Sequence, residues 1–232
     1  MRTIGLLGGM SWVSTTHYYR RLNAGVAERL GGTHCAPLVL WQTDFARITE
    51  LQEHERWHEA GELLGDGAEA LIAAGAELVV ICANTMHLVI EQVSAACLDV
   101  PVVSIIDAVR DACVEGGVTR LGLIGTAYTM SSPRLFPLPL AEAGIEVLVP
   151  DVETQAVIHR FTYDELVHDV VSDDARAAFR DACEALVERG AQAVVLACTE
   201  HGMVLHDGDL AVPVLDSTEL HIAAILEQCF SE

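Results

Sequence analysis

The chain contains the same stretch of sequence twice, and this repeat is the feature that most limits how it can fold. Residues 68–81 read AEALIAAGAELVVI, and residues 183–196 read CEALVERGAQAVVL, 115 positions later and without a gap. A second pair, IGLLGGMS from Ile4 and LGLIGTAYT from Leu121, repeats with an offset of 117. The repeats therefore predict two similar lobes, built from equivalent strands and helices.

Short apolar segments alternate with helical patterns in both halves. Glu77–Cys82 is a nearly continuous apolar run, which is typical of a strand buried on both faces of a parallel sheet. Alternating strands and helices predict an α/β fold with two pseudo-symmetric, doubly wound parallel-sheet lobes. Because such sheets bind ligands beyond the carboxyl ends of their strands, we expect the active site in the cleft between the lobes.

Residues 1–105 and 212–232 are assigned to the first lobe, and residues 106–211 to the second. This division assumes that the terminal strand and helix return to the first lobe. The patterns also predict one helix over Glu50–Ala74 and a helix over Thr85–Ala96. The strand Arg120–Gly125 is expected to lead into an irregular loop that contains Pro133, Pro137 and Pro139.

Composition excludes several classes of function. The net charge is −21 and no basic tract occurs, so the chain lacks the electrostatic signature of a nucleic-acid-binding protein. An acidic surface also disfavours anionic membranes, and no apolar run is long enough to span a bilayer. The chain has no lysine, which excludes pyridoxal phosphate Schiff bases and P-loop ATPases.

Seven dispersed cysteines without a CxxC pair indicate reduced thiols, so we expect a cytoplasmic protein. His54 and His58 have helical spacing but lack a zinc-protease motif, so they are interpreted as part of a solvated helix face. No metal site is predicted.

Three loops that follow predicted strands carry polar groups suited to a ligand. Gly8-Gly9-Met10-Ser11 lets the backbone approach a carboxylate or phosphate at a helix start, although a tight turn without a ligand explains it equally well. Asn84-Thr85 and Thr199-Glu200 can cap helices or donate hydrogen bonds to a ligand carboxylate. Their equivalent placement in the two halves favours ligand binding.

Cys198 follows a buried strand and precedes a predicted helix start. A helix dipole there would lower the pKa of the thiol and favour the thiolate, although a buried cysteine can also be a small hydrophobe. The offset of 115 places Ala83 at the equivalent position in the first half. Cys82 points the other way along its strand and is predicted to be core. The remaining five are interpreted as packing: Cys35, Cys97, Cys113, Cys183 and Cys229.

Three polar residues follow the second strand and could hold the distal carboxylate of a substrate: Arg47, Gln52 and Arg56. Surface salt bridging is the alternative, and for Arg56 it is the preferred interpretation.

The segments IGLLGGMSW, ICANTMH, LIGT-x-x-TM and ACTE together resemble the cofactor-independent aspartate/glutamate racemase family. The resemblance implies two α/β lobes, a homodimer, no cofactor, and one thiol on each side of the α-carbon of an amino acid. The family's usual motifs are Cys-Asn-Thr and Gly-Cys-Thr-Glu. Cys198 matches the second cysteine, whereas Ala83 stands in place of the first.

The resemblance also assigns roles to the polar residues, with a small amino or carboxylic acid as the ligand. Asn84, Thr85, Thr126 and Thr199 match carboxylate-binding positions, with backbone N–H groups of Met10 and Ser11 contributing. Glu200 is expected near the substrate ammonium. Gln52, chosen for its place after the second strand, is also included in the expected binding set.

Racemisation with Ala83 requires another proton carrier, such as water, Cys82, or a hydroxyl or histidine such as His87. The first alternative is one-base chemistry, either like that of the arylmalonate decarboxylase branch or in another isomerase. The second is a catalytically silent amino-acid binder. Many family members carry lysine near position 168, where this chain has His168-Asp169. This departure weakens the case for an acidic substrate, although Arg47 could compensate.

Overall fold

The computed structural model describes residues 1–231, which form two compact units. The first unit contains Met1–Ser104 together with the chain from His221 onward, and the second contains Ile105–Leu220. Each unit has a four-stranded parallel sheet with helices packed against it. The predicted α/β class with two parallel-sheet lobes is therefore confirmed.

The first unit contains most of its elements in the order that the sequence patterns suggest. Its sheet has the order β2-β1-β3-β4, and two apolar clusters contain alternate residues of its strands. The elements are β1 (Ile4–Gly8), α1 (Trp12–Leu30), β2 (Leu38–Gln42), α2 (Phe45–Glu53), α3 (Trp57–Ala73), β3 (Leu78–Ile81), a 3-10 helix (Thr85–Val89), α4 (Ile90–Cys97) and β4 (Val102–Val103).

The second unit repeats this plan with the order β6-β5-β7-β8. Its elements are α5 (Ile105–Glu115), β5 (Arg120–Gly125), α6 (Ala127–Ser131), α7 (Pro137–Glu142), β6 (Glu146–Leu148), α8 (Val152–Asp164), a 3-10 helix (Leu166–His168), α9 (Asp173–Glu188), β7 (Ala193–Ala197), a 3-10 helix (His201–Met203), β8 (Val214–Asp216) and α10 (Ser217–Phe230). No helix within residues 1–231 has the length and apolar character needed to cross a membrane.

The expected return of the terminal strand to the first lobe is wrong. β8 pairs with β7 in the second sheet, with Val194 opposite Val214 and Leu196 opposite Asp216. The first sheet already has β4 in the corresponding place beside β3. The terminal helix, in contrast, does return to the first unit. From His221 onward α10 belongs to that unit, where Ile222 is part of an apolar cluster with Tyr18.

Three other regions differ from the sequence-based expectation. The single helix predicted over residues 50–74 is two helices, because the chain turns at Glu55, which has a positive φ of 53°. The proline-containing stretch predicted to be irregular contains α7, with Pro137 in its first turn. Helix α8 was not predicted, although Asp151 caps it by accepting the Thr154 N–H at 2.8 Å.

Glycines at equivalent places in β1 and β5 allow a helix to pack closely against each sheet. A Cβ on Gly5 would lie 2.8 Å from Ala76 Cβ and 3.2 Å from Leu71 Cβ. A Cβ on Gly122 would lie 3.2 Å from Leu186 Cβ. Leu71 and Leu186 are themselves equivalent in the sequence repeat. The repeat therefore preserves a close helix–sheet contact, in which an added Cβ would overlap its neighbour at Gly5 and would be tight at Gly122.

Gly5→Ala is predicted to lower the free energy of unfolding by about 1–3 kcal/mol, because the added methyl overpacks a buried contact. Gly122→Ala is the matched control and should cost less, since its nearest contact is longer. Chemical denaturation of both variants measures the difference. Equal stability of Gly5→Ala and the unmodified protein would contradict the contact described.

Candidate functional site

The first sheet ends in a group of polar and small residues that we call the Asn84 edge. It follows the carboxyl ends of β1 and β3, which are paired at Leu7 and Ile81. Its members are the predicted substrate-binding residues of the first unit and their neighbour Ala83: Met10, Ser11, Gln52, Ala83, Asn84 and Thr85. All six are buried.

The loop after β1 depends on glycine and is closed by hydrogen bonds. Gly9 has φ +83°, and a Cβ there would lie 2.2 Å from the Thr43 carbonyl oxygen. Its N–H donates to Thr15 Oγ1 at 2.9 Å. Ser11 Oγ accepts the Ser14 N–H at 3.3 Å and so caps α1. The Ser11 hydroxyl is therefore a helix cap, while binding by the backbone of Met10 and Ser11 stays a prediction.

The loop after β3 forms a 3-10 helix at Thr85–Val89 rather than the α-helix expected there. Asn84 makes no side-chain capping hydrogen bond to this helix. Gln52 on α2 is 3% exposed, and its Nε2 donates to Met86 Sδ at 3.3 Å. This contact brings Gln52 to the same loop as Asn84, although the two residues are far apart in sequence.

The second sheet ends in an equivalent group that we call the Cys198 edge: Thr126, Cys198, Thr199 and Glu200. β5 and β7 pair through Gly125 and Ala197, so Thr126 and Cys198 are the next residues of adjacent strands. Thr126 Oγ1 accepts the Thr129 N–H at 3.2 Å and caps α6. The structure thus brings the four predicted residues of this unit to one sheet edge.

Cys198 is buried and hydrogen-bonded to a carboxylate. Its Sγ donates to Glu200 Oε2 at 3.2 Å, and Thr199 Oγ1 donates to the same oxygen at 2.7 Å. Burial, and then the Glu200 charge, raise the pKa of the Cys198 thiol well above its usual value. Backbone N–H groups of Glu200 and Thr199 lower this pKa but do not reverse the shift.

The expectation of a lowered Cys198 pKa is therefore wrong. The segment after Glu200 is a 3-10 helix of three residues, His201–Met203, and not the α-helix whose dipole the expectation required. Without that dipole, burial and a neighbouring negative charge dominate. The resting protein therefore holds Cys198 as a neutral thiol.

Of the other six cysteines, five are buried and one is exposed. Cys82 is fully buried, and burial raises its pKa, as expected for a core position. Cys35 is exposed, so its predicted packing role is wrong. The remaining four are buried as predicted: Cys97, Cys113, Cys183 and Cys229.

Two residues near the Cys198 edge were missed by the sequence analysis. Asp216 ends β8, and its Oδ2 would lie 2.3 Å from a Cβ on Gly202, so glycine leaves room for the carboxylate. His159 on α8 accepts the Ala127 N–H through Nδ1 at 3.3 Å, next to Thr126. The capping residue Asp151 is a sequence signal that predicts α8 and therefore His159. No local signal indicates which sheet β8 joins, so the position of Asp216 could not be predicted.

The arginines after β2 are exposed. Arg56 pairs with Glu59 and lies 3.6 Å from Glu50, so the preferred salt-bridge interpretation is confirmed. Arg47 lies in the first turn of α2. Within residues 1–231, no three His, Cys, Asp or Glu side chains are grouped so that they could hold a metal ion.

The fold and the residues at the two sheet edges define a class of protein with two α/β lobes. The edge of the second sheet carries the thiol of Cys198, and the equivalent position of the first sheet carries Ala83. The family model for Asp/Glu/Hydantoin racemase matches residues 7–225, and the chain belongs to that family.

Two solved structures are similar over the full length of both chains. A Yersinia pestis protein provisionally assigned as an Asp/Glu racemase is 37% identical, with a TM-score of 0.91 and 100% coverage of each chain. An aspartate racemase homologue from Pyrococcus horikoshii OT3 is 32% identical, with a TM-score of 0.85 and the same coverage.

A curated relative matches over a shorter stretch. The glutamate racemase of Shewanella woodyi is 36% identical over 94 residues, which cover 38% of this chain and 32% of that enzyme. The matched stretch spans about a third of that enzyme's length.

Glu200→Gln is predicted to lower the pKa of the Cys198 thiol, because it removes the carboxylate that raises this pKa. The thiolate then appears at lower pH, and Cys198 is alkylated faster at a fixed, mildly alkaline pH. Mass spectrometry of iodoacetamide labelling measures the rate, with exposed Cys35 as the internal control. An unchanged or slower rate at Cys198 would contradict the electrostatics described.

Proposed function

We propose that the protein is a cofactor-independent racemase of amino acids such as aspartate or glutamate. In this proposal, Cys198 exchanges the proton at the α-carbon, and the predicted substrate-binding residues hold the amino acid. Family membership and the two full-length relatives support the reaction class. The observation that carries the proposal is a protonated, carboxylate-bonded thiol at the end of a central strand.

The chemical difficulty is the weak acidity of the α-hydrogen, because the chain has no lysine to form an electron-withdrawing Schiff base. Negative charge that develops on the substrate must instead be stabilised through its carboxylate. Asn84, Thr85, Thr126 and Thr199 supply neutral donors for this role, together with the Met10–Ser11 backbone. Asn84, Thr85, Thr126, Met10 and Ser11 are buried and Thr199 is half-buried, and burial strengthens each hydrogen bond to the developing charge.

Glu200 has two functions in this scheme. Its carboxylate balances the charge of the substrate ammonium, and it accepts the Cys198 S–H hydrogen bond. A substrate ammonium beside Glu200 would offset the negative charge that raises the thiol pKa. Substrate binding would therefore bring Cys198 closer to the balance between thiol and thiolate that a proton-transfer group needs.

A second candidate is one-base chemistry, in which carbon dioxide leaves one face of a substrate and Cys198 protonates the other. The thiol held in its protonated form favours this candidate, since only a donor is required. The hydroxyl and amide groups at positions 84, 85, 126 and 199 argue against it, because a departing carboxylate is expected to leave into an apolar pocket.

Two further expectations stay predictions: assembly as a homodimer and the choice of side chain on the substrate.

A silent binding protein is the remaining alternative. The thiol, its two backbone N–H donors and Glu200 form a proton-transfer site for which a binding protein has no need.

The unmodified protein in heavy water is predicted to incorporate deuterium at the α-carbon of L- and D-glutamate or aspartate. Cys198→Ala should lower this exchange by at least about 100-fold, the lower range for loss of a general acid–base group. Proton NMR and chiral chromatography measure exchange and inversion separately. Cys35→Ser is the control and should exchange at the unmodified rate.

Absence of exchange from either enantiomer of both amino acids would overturn the proposed racemase. Carbon dioxide release from disubstituted malonates that depends on Cys198 would then support the second candidate. Heat stabilisation by an amino acid with no turnover of any of these compounds would instead identify a silent binder.

A further inference from the structure

A fully buried histidine follows the Cys198 edge directly in the chain. His201 begins the three-residue 3-10 helix, and its side chain is shielded from solvent. Its backbone N–H donates to the Cys198 carbonyl oxygen at 3.1 Å and closes a turn over residues 198–201, which we call the Cys198 turn. Because Glu200 lies inside this closed turn, its position is coupled to that of the His201 ring.

The ring of His201 is bonded to helix α8. Its Nε2 lies 2.9 Å from Thr162 Oγ1, and the same oxygen lies 2.8 Å from the Ile158 carbonyl oxygen. A threonine hydroxyl has one hydrogen, and a carbonyl oxygen only accepts. Both contacts are therefore hydrogen bonds when Thr162 donates to Ile158 and His201 Nε2 donates to Thr162. This bond joins the Cys198 turn to a residue 39 positions earlier in the chain.

Packing fixes the His201 ring and keeps it neutral. Phe179 on α9 lies in edge contact with it, with ring centroids 4.6 Å apart and an angle of 83° between the planes. Burial lowers the pKa of His201 to about 3. A ring with this pKa does not exchange protons near neutral pH. Any effect of His201 on the chemistry therefore comes from where it places its neighbours.

The neighbour that matters is Glu200, because its position sets the acidity of the thiol. Glu200 Oε2 accepts hydrogen bonds from Cys198 Sγ at 3.2 Å and from Thr199 Oγ1 at 2.7 Å. After burial, the charge of Glu200 is the largest effect that raises the pKa of Cys198. A movement of the Cys198 turn that carried Glu200 away from the sulfur would remove this effect.

We propose that Thr162 and His201 are positioning residues for Cys198, because the hydrogen bond between them holds the Cys198 turn against α8 and keeps the Glu200 carboxylate on the thiol. Helix α8 carries none of the predicted substrate-binding residues, so this inference extends the site beyond the two strand ends. Its consequence for catalysis rests on the proposed racemase function. Its consequence for the thiol does not, and can be measured without turnover.

Thr162→Val tests the inference, because valine has nearly the shape of threonine but cannot accept the His201 hydrogen bond. The Cys198 turn should loosen, Glu200 should leave the sulfur, and the pKa of Cys198 should fall. Iodoacetamide labelling of Cys198 is followed by mass spectrometry on both sides of the ordinary thiol pKa of about 8.5. The pH at which the labelling rate stops rising should fall by about one unit. Greater exposure alone would raise the rate equally at every pH.

Two variants serve as controls. Thr162→Ser keeps the hydroxyl and should restore the unmodified pH profile. Thr16→Val is the matched control, since Thr16 Oγ1 also donates to the carbonyl oxygen four residues earlier, that of Trp12 at 3.0 Å, but is exposed on α1. It should leave the profile unchanged. Circular dichroism confirms folding, and Thr162→Ala is used for the same comparison where Thr162→Val does not fold.

A double variant shows whether Thr162 acts through Glu200. In a Glu200→Gln background the charge is already absent, so adding Thr162→Val should shift the pH profile no further. An additional shift as large as that in the unmodified background would overturn the inference. An unchanged profile in a folded Thr162→Val protein would overturn it as well.

Turnover gives the second measurement. Deuterium exchange at the α-carbon of glutamate or aspartate should fall by at least about tenfold in Thr162→Val, because a displaced turn misplaces the reacting thiol, and should return in Thr162→Ser. Exchange at the unmodified rate in folded Thr162→Val would overturn the inference. Absence of exchange by the unmodified protein would overturn the proposed function alone, since the thiol profile tests the Thr162–His201 bond independently.

Discussion

The proton on the Cys198 sulfur is held there by burial beside a carboxylate, and the chemistry of the second sheet edge depends on that arrangement. Removing a thiol from water disfavours its charged form, and Glu200 adds a like charge at hydrogen-bond distance. The two backbone N–H groups offset part of this cost and would stabilise a thiolate once it forms. The site consequently holds Cys198 as a neutral thiol.

The duplicated architecture makes the difference between the two edges informative. Both sheets have the same strand order, and both have a glycine that lets a leucine of the covering helix pack against the strand. Equivalent positions can therefore be compared directly, and Cys198 is equivalent to Ala83. The first edge has an alanine in place of the thiol, and His87 lies one turn further on, with its Nδ1 2.8 Å from the Ala83 carbonyl oxygen.

Local sequence patterns could predict much of this fold because buried strands and helix ends leave local signals. β5 was predicted with its observed bounds, Arg120–Gly125. The sheet joined by β8 could not be predicted, because pairing is a tertiary choice that a short apolar strand does not encode. The direction of the Cys198 pKa shift does not follow from the sequence, because the helix after it has only three residues and burial beside Glu200 raises the pKa. The edge contact between the His87 and His221 rings, with centroids 5.8 Å apart, joins segments far apart in sequence and has no local signal.

Protection of Cys198 from alkylation by substrate tests the central claim most directly, because it reports whether an amino acid occupies the position next to this sulfur. Glutamate or aspartate at about ten times its Kd should slow labelling of Cys198 by about tenfold, while labelling of exposed Cys35 stays unchanged. Equal labelling of Cys198 with and without an amino acid that stabilises the protein against heat would contradict the claim.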